Sequence, residues 1–308
     1  MELIRDLHNI RPEHRLCVAT IGAFDGVHRG HQMVIKTLVA KARAVGLPAT
    51  VILFEPLPRE YFRPHDAPPR LTNFAERFKL LAALGVDRVL RIHFVDAIRQ
   101  MSAERFISQV FVEKLGVKYL IVGDDFAFGK GREGNFDTLL SMGQSSGFEV
   151  QDTATLEHEQ ERVSSSRIRE ALVEADFACV EHLLGRPYSM SGRVVMGQQL
   201  GRTMGAPTAN IQLRRLRSPL AGVYAVEIDG IDGKRYQGVA NVGTRPTIGD
   251  LSKAILEVHV FNFDGNLYGK HLEVLFRHKL RDEKKFSSLD ELKNNIARDF
   301  DAGRAYFE

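Results

Sequence analysis

The stretch that most constrains this chain is Ile21-Gly22-Ala23-Phe24-Asp25-Gly26-Val27-His28-Arg29-Gly30-His31. A short apolar run, Leu16–Ile21, precedes it. An amphipathic segment follows, with Val34, Ile35, Leu38, Val39, Ala42 and Val45 at helical spacing and Gly46 as a stop. The pattern reads as a strand, a glycine-punctuated loop and the first turn of a helix. A helix start presents free backbone N–H groups and the positive end of its dipole, which suits phosphate. His28 and His31 can add side-chain donors there, and Gly30 lets a ligand approach the backbone closely. Two alternatives remain: a shared structural helix face, or zinc, for which no third ligand lies at a suggestive spacing.

The same strand–helix rhythm continues to about residue 175. Ala49–Phe54, Arg88–Ile92, Tyr119–Val122 and Phe148–Val150 read as strands. Helices are expected from an Asn73/Glu76 capping box to Leu84, over Ser102–Leu115, around Phe136–Met142 and over Arg167–Ala175. Such alternation implies a parallel sheet covered on both faces, with ligands beyond the carboxyl ends of the strands.

After Gly185 the style changes. Val223–Ile228, Tyr236–Val242, Ala254–Phe261 and Leu272–Phe276 read as strands, and Asp232-Gly233 and Asp264-Gly265 as hairpin turns between neighbours. Ser288 with Glu291 caps a terminal helix to about Phe300. This half is expected to be a small antiparallel barrel with one helix on it. Leu184-Gly185-Arg186-Pro187 is the expected boundary, giving domains 1–184 and 185–308.

Composition narrows the function classes. No apolar run approaches the roughly 18 residues that span a bilayer. Charges at Glu2, Arg5 and Asp6 stand where a signal peptide would be apolar, so a cytoplasmic protein is expected. The two cysteines, Cys17 and Cys179, form no metal-spaced pair. A net charge of +3 is too small to argue for nucleic acid, and Arg214, Arg215 and Arg217 read as a solvated loop. Small anionic ligands account for the excess as well as a polymer would.

Four further stretches sharpen the first. They are Phe54-Glu55-Pro56 with Pro58, Gly123-Asp124-Asp125-Phe126-Ala127-Phe128-Gly129, Ser164-Ser165-Ser166-Arg167-Ile168-Arg169, and Gly197 to Asn210 with Gly201, Gly205, Pro207 and Thr208. Together with Gly22 to His31 they resemble the motifs of the bacterial bifunctional riboflavin kinase/FMN adenylyltransferases, or FAD synthetases, over essentially the whole chain. Leu57 stands where that family commonly has His, and Ser166 where it has Thr. The resemblance implies an N-terminal Rossmann-like nucleotidyltransferase sheet and a C-terminal riboflavin kinase-like barrel.

It also implies roles. Gly22, Phe24, Asp25, Gly26, His28, Gly30 and His31, with Ser164, Ser165, Ser166, Arg167 and Arg169, would bind the adenylyl-donating ATP. Phe54, Pro56, Pro58, Phe62, Asp125, Phe126 and Phe128 would hold its flavin, the aromatics by stacking. In the barrel, Gly197, Gly201, Gly205, Pro207, Thr208 and Asn210 would bind the kinase ATP, with Mg²⁺ on Thr208 and Asn210. Glu257 would take the proton of riboflavin's 5′-hydroxyl, and Glu257 and Arg281 would line the flavin site. Gly238–Thr247 would act as a lid, while His259, on the face of Glu257, has no role beyond structure. Riboflavin, FMN and ATP are the implied partners and FAD the product, with no obligate protein partner. A nucleotidyltransferase with a barrel that only senses flavin is the alternative. A tRNA-charging enzyme would need an anticodon-type domain and a Lys-Met-Ser-Lys-Ser-like loop, and neither is visible.

Overall fold

The computed structural model describes residues 1–123, 126–153, 156–158, 161–196, 208–245 and 253–308, the side chains of 157, 158, 161, 244, 245 and 253 excepted. Two compact units are present: Met1–Pro68 with Arg77–Ser164, and Pro69–Glu76 with Ser165–Glu308.

The first unit is built on a parallel sheet of β1 (Glu2–Arg5), β2 (Cys17–Ile21), β3 (Ala49–Glu55), β4 (Arg88–His93), β5 (Val117–Gly123) and β6 (Glu149–Thr153). Their spatial order is β1-β4-β3-β2-β5-β6. A short antiparallel pair, β7 (Glu157–His158) and β8 (Glu161–Arg162), follows β6 in the chain. The chain steps outward from β2 to β4 on one side, then restarts on the other side at β5. The loop after β2 therefore lies at the reversal point, where open α/β sheets bind ligands. All five residues of β2 are buried, as a central strand requires. Strand β1 escaped the sequence reading because four residues with charged ends show no usable periodicity, yet charged ends suit an edge.

The helix after the loop runs Arg29–Val45 and stops at Gly46, whose φ of 67° is left-handed. The predicted Ser102–Leu115 helix is an α-helical turn, Ala103–Phe106, running into a π-helix, Ile107–Lys114. Phe106, Ile107, Val110, Phe111 and Leu115 are all buried there. Their spacing is wider than the 3.6-residue turn, and the wider helix turns all five to the core.

The second unit holds a closed antiparallel barrel in the order β10-β13-β12-β11-β14-β9. Its strands are β9 (Ser189–Val195), β10 (Ala209–Gln212), β11 (Gly222–Ile231), β12 (Lys234–Arg245), β13 (Lys253–Val260) and β14 (His271–Arg281). Asp232 and Gly233, with φ of 48° and 72°, form the two-residue mirror turn that joins β11 to β12. The second expected hairpin is not one. β13 pairs with β10 and β12, and β14 with β11 and β9, so Asp264-Gly265 sits in a longer connection. Gly238–Arg245 belongs to β12, so this part of the expected lid is barrel wall; residues 246 and 247 lie outside the described residues.

The terminal helix extends to Phe307, with Ser288 accepting from the Glu291 N–H. It reaches past Phe300 because Gly303 allows close approach: a Cβ there would meet Val239 Cγ2 at 2.5 Å. The His259 ring stacks on Phe300 at 4.0 Å between centroids, which gives His259 the structural place expected of it.

Arg215 is not solvated. Its residue is 7% exposed. It donates to Glu76 Oε2 at 2.6 Å, to the Arg70 and Leu71 carbonyls at 3.3 Å and to the Tyr188 hydroxyl at 3.2 Å. Glu76 also accepts from Asn73 N and Ser191 N, both at 2.7 Å. A run of cations says nothing about such a distant carboxylate, so the sequence pattern misleads here. Arg215→Met leaves the Glu76 charge buried, and denaturant unfolding should show a loss of about 3–5 kcal/mol.

Candidate active sites

In the first unit, the loop from Gly22 to His28 is held in an unusual conformation. Phe24, Gly26 and Val27 have φ of 47°, 83° and 43°, and the Val27 N–H closes on the Phe24 carbonyl at 3.2 Å. Phe24, Asp25, Val27 and His28 are all buried. His28 caps the Arg29–Val45 helix, its Nδ1 accepting from the His31 N–H at 3.3 Å. The two imidazoles stack at 3.5 Å between centroids with 18° between planes, and Phe24 meets His31 edge-on at 5.1 Å. A Cβ on Gly30 would crowd the His28 ring at 3.2 Å. His31 Nδ1 is buried with no hydrogen-bond partner. An orphaned ring nitrogen at a helix start fits an absent anionic group. Burial holds the His31 pKa well below its ordinary 6.5, and the charges of His28, Arg77 and Arg162 push the same way.

Beyond the ends of β3 and β5 the predicted flavin-side aromatics are connected through two rings the sequence did not single out. Phe62, 57% exposed, meets Phe94 at 5.9 Å, and Phe94 meets Phe54 at 5.4 Å. Phe54 leads through Phe106 to Phe128 in steps of 6.1 Å, and Phe126 stacks on Phe128 at 5.2 Å. Phe128 is a core ring, whereas Phe126 is half-buried, so Phe126 and Phe62 offer the free surface. Pro56 and Pro58 are half-buried beside them, and Asp125 lies outside the described residues.

The helix Ser165–Val173 belongs to the second unit. Within it Ser166 is exposed, Ser165, Arg167 and Arg169 are half-buried, and Arg169 Nε donates to the Pro69 carbonyl at 2.7 Å. Ser164, half-buried, ends the first unit.

On the barrel, Glu257 of β13 stands directly opposite Asn210 of β10. Their neighbours Ala209, Ile211, Leu256 and Val258 are buried, while Asn210 and Glu257 are half-buried on the outer face. Thr208 is also half-buried and two residues before Asn210, which puts it on the same side. Gly197, Gly201, Gly205 and Pro207 lie outside the described residues. Arg281 is not beside Glu257. It makes a bidentate pair with Asp299 at 2.7 and 2.8 Å and thereby ties the terminal helix to β14.

Residues 10–167 match the family described as FAD synthetase, and residues 184–307 the family described as riboflavin kinase. A bifunctional riboflavin kinase/FMN adenylyltransferase of Pseudomonas fluorescens is 51% identical, over 99% of this chain and 97% of its own. The protein of the same description from Escherichia coli K12 is 48% identical, over 100% of this chain and 98% of its own. The chain belongs to the bifunctional riboflavin kinase/FMN adenylyltransferase family. A solved structure from Streptococcus pneumoniae, described as a macrolide-efflux protein, is similar with a TM-score of 0.79 and 30% identity, over 98% of each chain. That description concerns the streptococcal protein. Among the described residues no helix of the present family member is long and apolar enough to cross a membrane.

Arg77 is the family member's most informative residue that sequence reading passed over. Its side chain is fully buried, donating to the Ala23 carbonyl at 2.7 Å and to Glu55 Oε2 at 2.8 Å. One guanidinium thus links the glycine loop to the end of β3. The available signal was a cation one residue after the capping-box Glu76, flanked by Phe74, Phe78, Leu80 and Leu81 on a mostly apolar helix. A separate surface groove lined by Leu47, Tyr119, Gly143 and Phe148 lies at the opposite, amino-terminal edge of the sheet and touches none of these groups.

Two outcomes are expected. Arg77→Met should cut conversion of FMN to FAD at least tenfold while riboflavin phosphorylation by the same chain persists, measured by chromatography of the flavins. The second concerns pH. The unfolded chain protonates His31 below about 6.5, and the folded unit does so only at lower pH, so the stability from a neutral His31 is complete above 6.5 and declines as pH falls. Denaturation midpoints from pH 7 to 5 should fall less steeply in His31→Gln than in the parent.

Proposed function

We propose that residues 185–308 phosphorylate riboflavin to FMN with ATP, and that residues 1–184 transfer AMP from ATP to FMN, giving FAD and pyrophosphate. The carrying observation is that both families match in order along one chain whose curated relatives are aligned over nearly their full length. The cytoplasm, where riboflavin and ATP are available, is the proposed location, and small molecules are the proposed partners.

In the kinase step Glu257 accepts the proton of the 5′-hydroxyl as that oxygen attacks the γ-phosphorus of ATP, and ADP leaves. The donor set beside it fits magnesium: the Thr208 hydroxyl and the Asn210 carboxamide are hard oxygen ligands on the face of a carboxylate. Mg²⁺ held there would neutralise charge on the ATP phosphates. The described residues contain no cluster of three His, Cys, Asp or Glu that could hold a metal, and a magnesium–phosphate site needs none.

In the adenylyl step a phosphate oxygen of FMN attacks the α-phosphorus, and the bond to the β-phosphate oxygen breaks. The protein's part is positioning and charge stabilisation. His28 and His31 hold the α- and β-phosphates at the start of the Arg29–Val45 helix, with Gly22, Gly26 and Gly30 admitting close approach. Phe24 backs the His31 ring, and Asp25 is assigned to the same nucleotide. Phe54, Phe62 and Phe126 receive the flavin, with Phe128 beneath Phe126. Ser164, Ser165, Ser166, Arg167 and Arg169 are assigned to that ATP on their sequence motif alone.

The test incubates the chain with riboflavin, ATP and Mg²⁺ and resolves riboflavin, FMN and FAD. Both products are expected, and production of neither would overturn the proposal. His28→Ala with His31→Ala should leave FMN accumulating without FAD. Glu257→Gln should block FMN formation yet convert supplied FMN to FAD; full kinase activity in that variant would remove Glu257 from the mechanism.

A further inference from the structure

The outer face of the barrel carries a polar row with one member still unassigned. Glu257 stands between Asn210 on one neighbouring strand and Asn241 on the other, directly opposite both in register. Opposed residues on adjacent antiparallel strands point to one side, with Cβ atoms roughly 4.5–5.5 Å apart. Burial fixes which side: Ala240, Val242, Leu256 and Val258 are at most 1% exposed and fill the interior. Asn210, Asn241 and Glu257 are half-buried outside.

Asn241 is flanked on both sides along the strands. One step along the strands, Val239 and His259 are opposed and covered by the terminal helix at Gly303 and Phe300. One step the other way, Gly243 is so close to the Glu283 carboxylate that a Cβ would collide with it. Among the described residues the Asn241 carboxamide makes no hydrogen bond, although it sits beside a carboxylate on a partly covered face. A half-buried carboxamide without a partner among the described residues can bond a bound ligand as readily as water.

Asn210 and Thr208 occupy the flank of Glu257 assigned to nucleotide and metal. Asn241 occupies the other flank, where the alcohol must arrive if Glu257 is to take its proton. We propose that Asn241 binds the acceptor substrate, its carboxamide hydrogen-bonding the polyol chain of riboflavin and presenting the terminal hydroxyl to Glu257. This rests on the kinase reading of the barrel. A carboxamide both donates and accepts, as a hydroxyl does, so the pair can satisfy each other in either sense. Being neutral, it adds no like charge beside Glu257. A fixed amide also selects among several hydroxyls, because a chain lacking the bonded one leaves a buried polar group unmatched.

The experiment measures riboflavin phosphorylation by the full chain and by N241A and N241S, varying riboflavin and ATP separately. N241A should raise the riboflavin KM about tenfold or more with little change in the ATP KM. N241S, which keeps a hydroxyl, should recover part of the loss. The parent should reject a riboflavin analogue lacking one side-chain hydroxyl more strongly than N241A does. Conversion of supplied FMN to FAD by the same variants reports that the chain is folded. An unchanged riboflavin KM in N241A, or an equal rise in both KM values, would overturn the role of Asn241 while leaving the kinase reading standing. A parent chain that forms no FMN would sink both.

Discussion

The first unit depends on the buried guanidinium of Arg77. Phe24 and Val27 sit in the left-handed region, where a bulky or β-branched residue is disfavoured by about 1–3 kcal/mol. Such a loop persists only if its surroundings over-determine it. Arg77 grips the Ala23 carbonyl, Gln32 Nε2 holds the Val27 carbonyl at 3.0 Å, and Phe24 and Val27 are sealed at 4% and 1% exposure. The other hydrogen bond of Arg77, to Glu55, fixes the end of the adjacent strand. The loop before the helix and the end of β3 are therefore fixed by the same side chain.

The barrel solves a related problem differently. Part of its outer face is apolar and has to be covered. The terminal helix covers it, brought close by Gly303, clamped by Arg281 to Asp299 and seated by His259 on Phe300. His259, seated on Phe300, is two residues from Glu257 along β13. The buried Glu76–Arg215 pair acts elsewhere in this unit. It joins the capping box at Asn73 to the β9 backbone at Ser191, and it has few of the solvent contacts that weaken surface ion pairs.

What was legible in the sequence was whatever a local pattern dictates. The Arg29–Val45 helix with its Gly46 stop, the Asp232-Gly233 turn and both capping boxes follow from neighbours in the chain. The strand-to-helix turn at Gly22–His28 was legible for the same reason. Strands β1, β9 and β10 were missed because they are short or carry small and polar residues whose burial comes from partners far away in sequence. Asp264-Gly265 looked like its counterpart yet joins strands that are not neighbours, since closure of a barrel is a property of the whole sheet. Arg77, Arg215 and the intervening rings Phe94 and Phe106 were invisible for a related reason: each gains its meaning from a group tens of residues away. Asn241 stood in a recognisable stretch, but its place opposite Glu257 follows only from strand register.

The stacked imidazoles at the helix start have a consequence of their own. The His31 ring, buried and stacked 3.5 Å from His28, is held well below its ordinary pKa, so a proton added there is disfavoured. An anion settling at the buried Nδ1 favours that proton, and the proton favours the anion, each by the same factor. Acidity and anion occupancy at this point of the molecule would thereby be two readings of one equilibrium.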